Sequence, residues 1–394
     1  MAEFHPFKGI RATQDKMHLV ASRSFLSYSD LELNDKLNGN PFTFLHVIQP
    51  TQQREVSERV KFEEVRRNFD DFVQQGILIQ EETPSFYLYR QIKEGKVFLG
   101  WMGGISVEDY RKGVIKIHEH TIEKRENLFA EYLAITGINA EPVLMFSAFP
   151  SQFKDWTKSL QDRGPLTDFT TTDKVRHTLW VVTQKDEVSA VQAAFAELDS
   201  VYIADGHHRS ASSERLQRLH PEWEEAKYFL SYVIDQEDLT IHPFHRMICD
   251  DAMGDEVIEG FLKEKFVSIQ ELRTAPLKGE FGWRTKLGTT YWRFNDESGL
   301  DPEKLAHQVL TPLLSIEDIR KDKRIKYCEG PKGISFIDDS IQKNKVQSAF
   351  LLSSVTTEEL CDVADQGGVM PPKSTYIEPK LRSGLVIYPI NYGI

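Results

Sequence analysis

Apolar and polar positions alternate along this chain in two rhythms, and the changes of rhythm mark its elements. Over 56–75, Val56, Val60, Val65, Phe69 and Val73 recur at mostly four-residue spacing, which predicts an amphipathic helix stopped by Gly76. Phe86-Tyr87-Leu88-Tyr89 and Val97-Phe98-Leu99 flank Glu94-Gly95-Lys96 and predict a hairpin. Val114-Ile115-Lys116-Ile117-His118-Glu119-His120 alternates as a strand, and a helix follows over 122–136, closed by Gly137. Strands are expected at 142–149 and 177–182, a helix at 186–198, and a buried strand over 201–204 that breaks into Asp205-Gly206. A helical pattern begins directly after that break. Further on, 228–234 and 239–248 read as strands, 277–295 as an antiparallel pair, and Leu305, Val309, Leu313 and Leu314 mark a helix. The stretch 333–366 reads as strand (334–337), helix (338–346), strand (349–352) and helix (357–366). This mixed ordering predicts an α+β protein with a mixed sheet and flanking helices rather than a doubly wound one. Three regions are expected: an N-terminal α+β region to 112, a core over 113–248, and a C-terminal α+β region over 249–394.

Composition narrows the function classes. The 394 residues are 40% hydrophobic and 27% charged, as in ordinary globular proteins, and suffice for a sizeable core. The formal net charge of -12 argues against broad nucleic-acid binding. Cys249, Cys328 and Cys361 are far apart and form no C-x-x-C pair, which fits a reducing, cytoplasmic setting without a disulfide framework. The start, Met1-Ala2-Glu3-Phe4-His5-Pro6, lacks the pattern of a signal peptide, and no apolar run is long enough to span a bilayer. Neither nucleic acid nor a membrane is an expected partner.

The candidate chemistry centres on Asp205-Gly206-His207-His208-Arg209. A helix start carries unpaired N–H groups and partial positive charge, so it is a ready anion site. Gly206 permits a tight turn and close approach of a phosphate, and Arg209 adds a forked, permanently charged donor. The plainer reading is a helix capped by Asp205 with solvated histidines. Ser210-Ala211-Ser212-Ser213 is small enough for close helix–strand packing. Neither a Walker loop nor a dinucleotide-binding glycine fingerprint occurs.

Alternation along 114–120 puts Glu119 on one face with Ile115 and Ile117, where a carboxylate needs a partner or a raised pKa, the requirement of a general base. An exposed or salt-bridged strand end is the bland alternative. His118 and His120 share the other face as a weak metal pair, since the H-E-x-x-H pattern is absent. His242-Pro243-Phe244-His245-Arg246 reads as a core segment, and Arg176-His177-Thr178 as a strand able to line a pocket. The proline-stiffened stretch 370–384, with Lys373, Ser374, Thr375, Lys380 and Arg382, is expected to be an ordered anion or ligand loop in an acidic chain.

These residues carry two resemblances. Asn40-Pro41-Phe42-Thr43-Phe44-Leu45-His46-Val47, Tyr202-Ile203-Ala204-Asp205-Gly206-His207-His208-Arg209 and Met370-Pro371-Pro372-Lys373-Ser374-Thr375 resemble, over nearly the whole chain, the bacterial family known as domain of unknown function 1015. Where members carry a Pro-Pro-Tyr-Asp turn near the start, this chain reads Val20-Ala21-Ser22-Arg23-Ser24. More locally, His118-Glu119 and Asp205 to Arg209 are similar to the His-Glu and Asp-Gly-His-x-Arg elements of free-serine kinases in the ParB/sulfiredoxin-like superfamily. That resemblance implies a ParB/sulfiredoxin-like core with N- and C-terminal additions, and a phosphotransferase making O-phosphoserine from free L-serine with ATP or ADP. It further implies Glu119 as base, Gly206, His207, His208 and Arg209 on the nucleotide phosphates, and Asp205 placing Mg²⁺. His118, Arg176, Lys373, Ser374, Thr375, Lys380 and Arg382 are then candidate substrate contacts. A non-catalytic nucleotide- or phosphometabolite-binding regulatory protein is the alternative.

Overall fold

The computed structural model describes residues 1–49, 56–249, 253–271, 273–296, 298–316 and 322–392. The chain forms two compact units, one from Met1–Leu239 with Pro379–Ile394 and one from Thr240–Glu378. The expected boundaries at 112 and 248 are replaced by this division. Strand Lys96–Ser106 pairs with Tyr228–Asp235, so the regions before and after residue 112 share one sheet and cannot fold as separate layers.

The first unit is built on a nine-stranded mixed sheet. Its strands run in the order Ile115–Lys116, Val201–Asp205, Val143–Ser147, Tyr228–Asp235, Lys96–Ser106, Phe86–Lys93, Arg176–Val182 and Thr167–Thr170, with Phe4–His5 also pairing along Lys96–Ser106. Two pairings, Val201–Asp205 with Ile115–Lys116 and Tyr228–Asp235 with Val143–Ser147, are parallel. The expected hairpin forms at 86–106. Glu94 and Gly95 both take positive φ, the conformation of a tight turn whose twist matches its strands. Phe4, Phe86, Trp101, Phe153, Phe195 and Val201 meet in the core on one face of this sheet.

Helix Glu58–Gln74 forms where expected, and Ser57 caps it by accepting from the Val60 N–H. Its buried stripe is Phe62, Val65, Phe69 and Phe72, whereas Val60 is exposed. A strict four-residue repeat drifts around the helix, so the residues at alternating three and four spacing form the core face instead. Helix Glu123–Thr136 ends at Gly137, whose φ of 70° gives the left-handed cap.

The second unit holds a seven-stranded antiparallel sheet in the order Val267–Ile269, Gly288–Arg293, Glu280–Thr285, Ser348–Leu352, Thr240–Ile248 and Ile325–Glu329. Thr375–Glu378 pairs with the first half of Thr240–Ile248. Phe281, Trp292, Leu305 and Phe350 pack its core. The expected strand at 334–337 is part of helix Gly333–Gln342. A four-residue apolar run does not separate strand from helix, and burial of Ile337 and Ile341 four positions apart selects the helix. No helix among the described residues is long and apolar enough to cross a membrane.

Candidate functional site

Strand Val201–Asp205, one place in from the edge of the first unit's sheet, leads into the site. Its apolar residues bury between two neighbours, and its register against Val143–Ser147 shifts between Ile203 and Asp205. Gly206 follows with φ 113° and ψ 25°, and helix His207–Leu219 begins at once. A backbone so far into positive φ is open to glycine and strained for any other residue. Gly206 also makes room for Arg209, because a Cβ there would lie 3.0 Å from the guanidinium Nε and Nη2. Behind the turn, Ser210 and Ser213 bury against the sheet by donating their hydroxyls to the carbonyls of His207 and Arg209. This is the close helix–strand packing expected of the small residues.

The helix start has no side-chain cap. Asp205, expected as that cap in the plainer reading, instead accepts from Lys380 Nζ at 3.1 Å. Burial alone would push the Asp205 carboxyl up, but Lys380 and Arg209 together hold it below the usual range. Arg209 Nη1 donates to Glu141 Oε2 at 2.6 Å. Although burial opposes its charge, the carboxylates of Glu141 and Asp205 keep that guanidinium charged.

The two elements that resemble the kinase motifs meet here. The His118 backbone N–H donates to His207 Nε2 at 3.3 Å, and the two rings cross edge to face with centroids 4.4 Å apart. Accepting at Nε2 leaves the His207 proton on Nδ1, which lies 3.7 Å from Glu119 Oε2. Burial lowers the His118 pKa to about 4 and that of His207 well below its ordinary value, so both rings are neutral near pH 7. Three nitrogens of this cluster, His118 Nδ1, His208 Nδ1 and Arg209 Nε, are buried without a hydrogen-bond partner.

Glu119 reaches this cluster by a different route from the one its sequence pattern implied. Pairing with Val201–Asp205 ends at Lys116, so alternation stops there. His118 is buried, while Glu119 is 61% exposed at its side chain and Ile117 faces outward. The expectation of a carboxylate buried beside two isoleucines is overturned. Glu119 stands instead on an open segment next to the helix start.

The other candidates divide. Lys380 joins the turn through Asp205. Arg382 is buried and donates to Asp173 and Thr171, so it braces the Thr167–Val182 hairpin rather than facing a ligand. Arg176 forms a two-pronged pair with Asp168, on a strand five places from Val201–Asp205 in the sheet order. Lys373, Ser374 and Thr375 belong to the second unit. There the Lys373 ammonium lies 5.5 Å from the Phe244 ring centroid, the Ser374 hydroxyl donates to the Pro371 carbonyl and Thr375 opens a strand. His120 is exposed, and no group of three or more His, Cys, Asp or Glu side chains among the described residues could hold a metal ion. The site therefore does not by itself fit Mg²⁺, and Asp205 is already paired.

Glu141, Ser383 and Ser22 complete the surroundings and were missed by sequence reasoning. Ser383 Oγ donates to Glu141 Oε1 at 3.5 Å. Ser22 and Ser383 exchange backbone hydrogen bonds of 3.1 and 2.8 Å. The divergent stretch 20–24 thus lies beside the Arg209 pair, and Ser22 Oγ is buried without a partner. The 40–47 motif braces this corner: Asn40 donates to the Leu19 carbonyl, the Phe44 N–H to Val20, and the Phe44 ring lies against Gly384. Nothing in the sequence around Glu141, a lone acid in a loop, marks it.

Among solved structures, the chain is similar to a free serine kinase in complex with AMP (19% identity, TM-score 0.36, covering 71% of this chain and 87% of that one). A variant free serine kinase in complex with ADP gives 20% identity and a TM-score of 0.37 over 71% of this chain and 87% of that one. A conserved hypothetical protein from Pyrococcus furiosus gives 20% identity and a TM-score of 0.36 over 72% of this chain and 94% of that one. No curated protein matches. Residues 4–315 match the family described as protein of unknown function DUF1015, which takes in the 40–47 and 202–209 motifs and stops before 370–375. A match over that much of the sequence makes the chain a member of the DUF1015 family.

Proposed function

We propose that this protein is a small-molecule phosphotransferase with a ParB/sulfiredoxin-like core, using ATP or ADP to phosphorylate the hydroxyl of free L-serine. The observation that carries the reading is the set of buried, unpartnered nitrogens of His118, His208 and Arg209 around an uncapped helix start. A buried polar atom without a partner is costly, and a bound phosphate supplies acceptors for such groups. The helix-start N–H groups and Arg209 would hold the donor's terminal phosphates. The buried His208 Nδ1 would add a hydrogen bond there, and His207, kept neutral by burial, would add no charge.

Glu119 would take the proton from the serine hydroxyl. The serine oxygen then forms its bond to the terminal phosphorus as the bridging P–O bond breaks, and the shortened nucleotide leaves with those electrons. Such transfer asks the protein mainly for alignment and charge stabilisation. His207 Nδ1–H, 3.7 Å from Glu119 Oε2, would orient that carboxylate toward the helix start. Lys380 would keep Asp205 from repelling the phosphates. A divalent cation, where present, would be held by the nucleotide's own phosphate oxygens.

A second reading is a nucleotide-binding regulatory protein without catalysis, favoured by the exposure of Glu119. Incubation with ATP or ADP, Mg²⁺ and L-serine separates the two. Appearance of O-phosphoserine, abolished in Glu119→Gln, supports transfer. Tight nucleotide binding with no phosphoserine supports the regulatory reading.

A further inference from the structure

The second unit contains a cavity of about 370 Å³, a size that suits a small metabolite. It lies where strand Thr240–Ile248 meets the loop leading into helix Gly333–Gln342. The loop, Gly330-Pro331-Lys332-Gly333, turns at Gly333 with φ 72° and places Gly333 and Ile334 on the cavity wall. The ten-residue helix that follows has no side-chain cap, so N–H groups of its first turn are open to a ligand.

His245 supplies a second, independent pointer. It is 6% exposed and lines the same cavity. Its Nδ1 accepts from the Leu352 N–H at 3.2 Å, which places the ring proton on Nε2. Among the described residues Nε2 has no hydrogen-bond partner, on a side chain that lines the cavity. Burial lowers the His245 pKa to about 4, so the ring is a neutral donor near pH 7. Two carboxylates beside lining residues have charged or imidazole partners. Glu329 is 2.8 Å from Lys332 Nζ, and Glu378 is 3.0 Å from His242 Nε2.

We propose that this cavity is a second binding site, for a small metabolite bearing an oxyanion group, phosphate or carboxylate. The anion would sit on the helix start and accept from His245 Nε2. The proposal is independent of the function assigned to the first unit.

The test is calorimetric titration of the full-length Arg209→Ala protein, in which the proposed phosphate site of the first unit is disabled, with inorganic phosphate and separately with acetate. Saturable binding of one or both is expected, and the tighter of the two identifies the head group. His245→Asn keeps an acceptor for the Leu352 N–H and removes the Nε2 donor, so it weakens binding by about tenfold or more. Ile334→Pro deletes one N–H at a helical position that tolerates proline, and it weakens binding to a similar degree without unfolding the chain. No saturable binding of either anion up to about 10 mM, or binding unchanged in both variants, overturns the proposal.

Discussion

Replacing Gly206 by alanine acts on the backbone and on Arg209 together. At φ 113° and ψ 25° an alanine lies outside even the small left-handed region open to L residues, a strain of about 1–3 kcal/mol. Loss of glycine's freedom in the unfolded chain returns about 0.4–1 kcal/mol. A net destabilisation of up to about 2.5 kcal/mol follows. The new Cβ also lies 3.0 Å from Arg209 Nε and Nη2, closer than an ordinary contact. The guanidinium must give way, yet Glu141 holds its Nη1 at 2.6 Å. Relief moves the fork away from the helix start and removes a charge-assisted hydrogen bond to bound phosphate. Such a bond is worth about 1.5–3 kcal/mol, or about ten- to a hundredfold in nucleotide affinity. Urea denaturation reads the first effect as a lower midpoint at unchanged slope, and ADP titration calorimetry reads the second. If the variant unfolds at the wild-type midpoint and binds ADP as tightly as the parent, the reasoning about this turn is wrong.

Glu119→Gln lowers phosphoserine formation by at least about a hundredfold, as loss of a general base does, while ADP affinity holds within about twofold. Lys380→Ala leaves the Asp205 carboxylate unpaired beside the phosphates and weakens ADP binding by about tenfold, read by the same titration. Arg176→Ala leaves nucleotide affinity unchanged, since that side chain is engaged by Asp168 elsewhere in the sheet. Buried neutral histidines also set a pH dependence of stability. With a folded pKa of about 4 against 6.5, His118 binds fewer protons folded than unfolded between those values. Its contribution of up to about 3 kcal/mol is therefore complete above pH 6.5 and lost as pH falls toward 4. Urea denaturation across that window should show a slope reduced by about one proton in His118→Asn, and an unchanged slope contradicts the assignment.

Much of the site was legible because its parts are local in sequence. Asp205 to Arg209 is a strand end, a glycine turn and a helix start in succession, and each follows from residue type. The meeting of His118 and Glu119 with His207 came from a resemblance and not from periodicity. Alternation assigned the wrong member of the pair to the interior, because a two-residue pairing with Val201–Asp205 ends the strand before His118. Glu141, Ser22 and Ser383 were invisible for a different reason. Their roles arise from contacts between segments far apart in the chain, and neither a lone glutamate nor a serine carries a local signature of such contacts. The basic loop at 370–384 looked like one feature. The fold divides it at Pro379: Lys373 to Thr375 serve the second unit, whereas Lys380 and Arg382 serve the first. Charge and proline content described that loop well, but strand pairing of Thr375–Glu378 with Thr240–Ile248 decided where it is cut.

The central claim is that the Gly206 turn holds a phosphate and Glu119 acts on the acceptor, and one paired measurement reaches both halves. ADP affinity and phosphoserine formation from ATP and L-serine are recorded side by side for the parent, Arg209→Ala and Glu119→Gln. The account predicts that Arg209→Ala loses binding and turnover together, while Glu119→Gln binds ADP and makes no phosphoserine. Undiminished ADP binding in Arg209→Ala, or full turnover in Glu119→Gln, contradicts it.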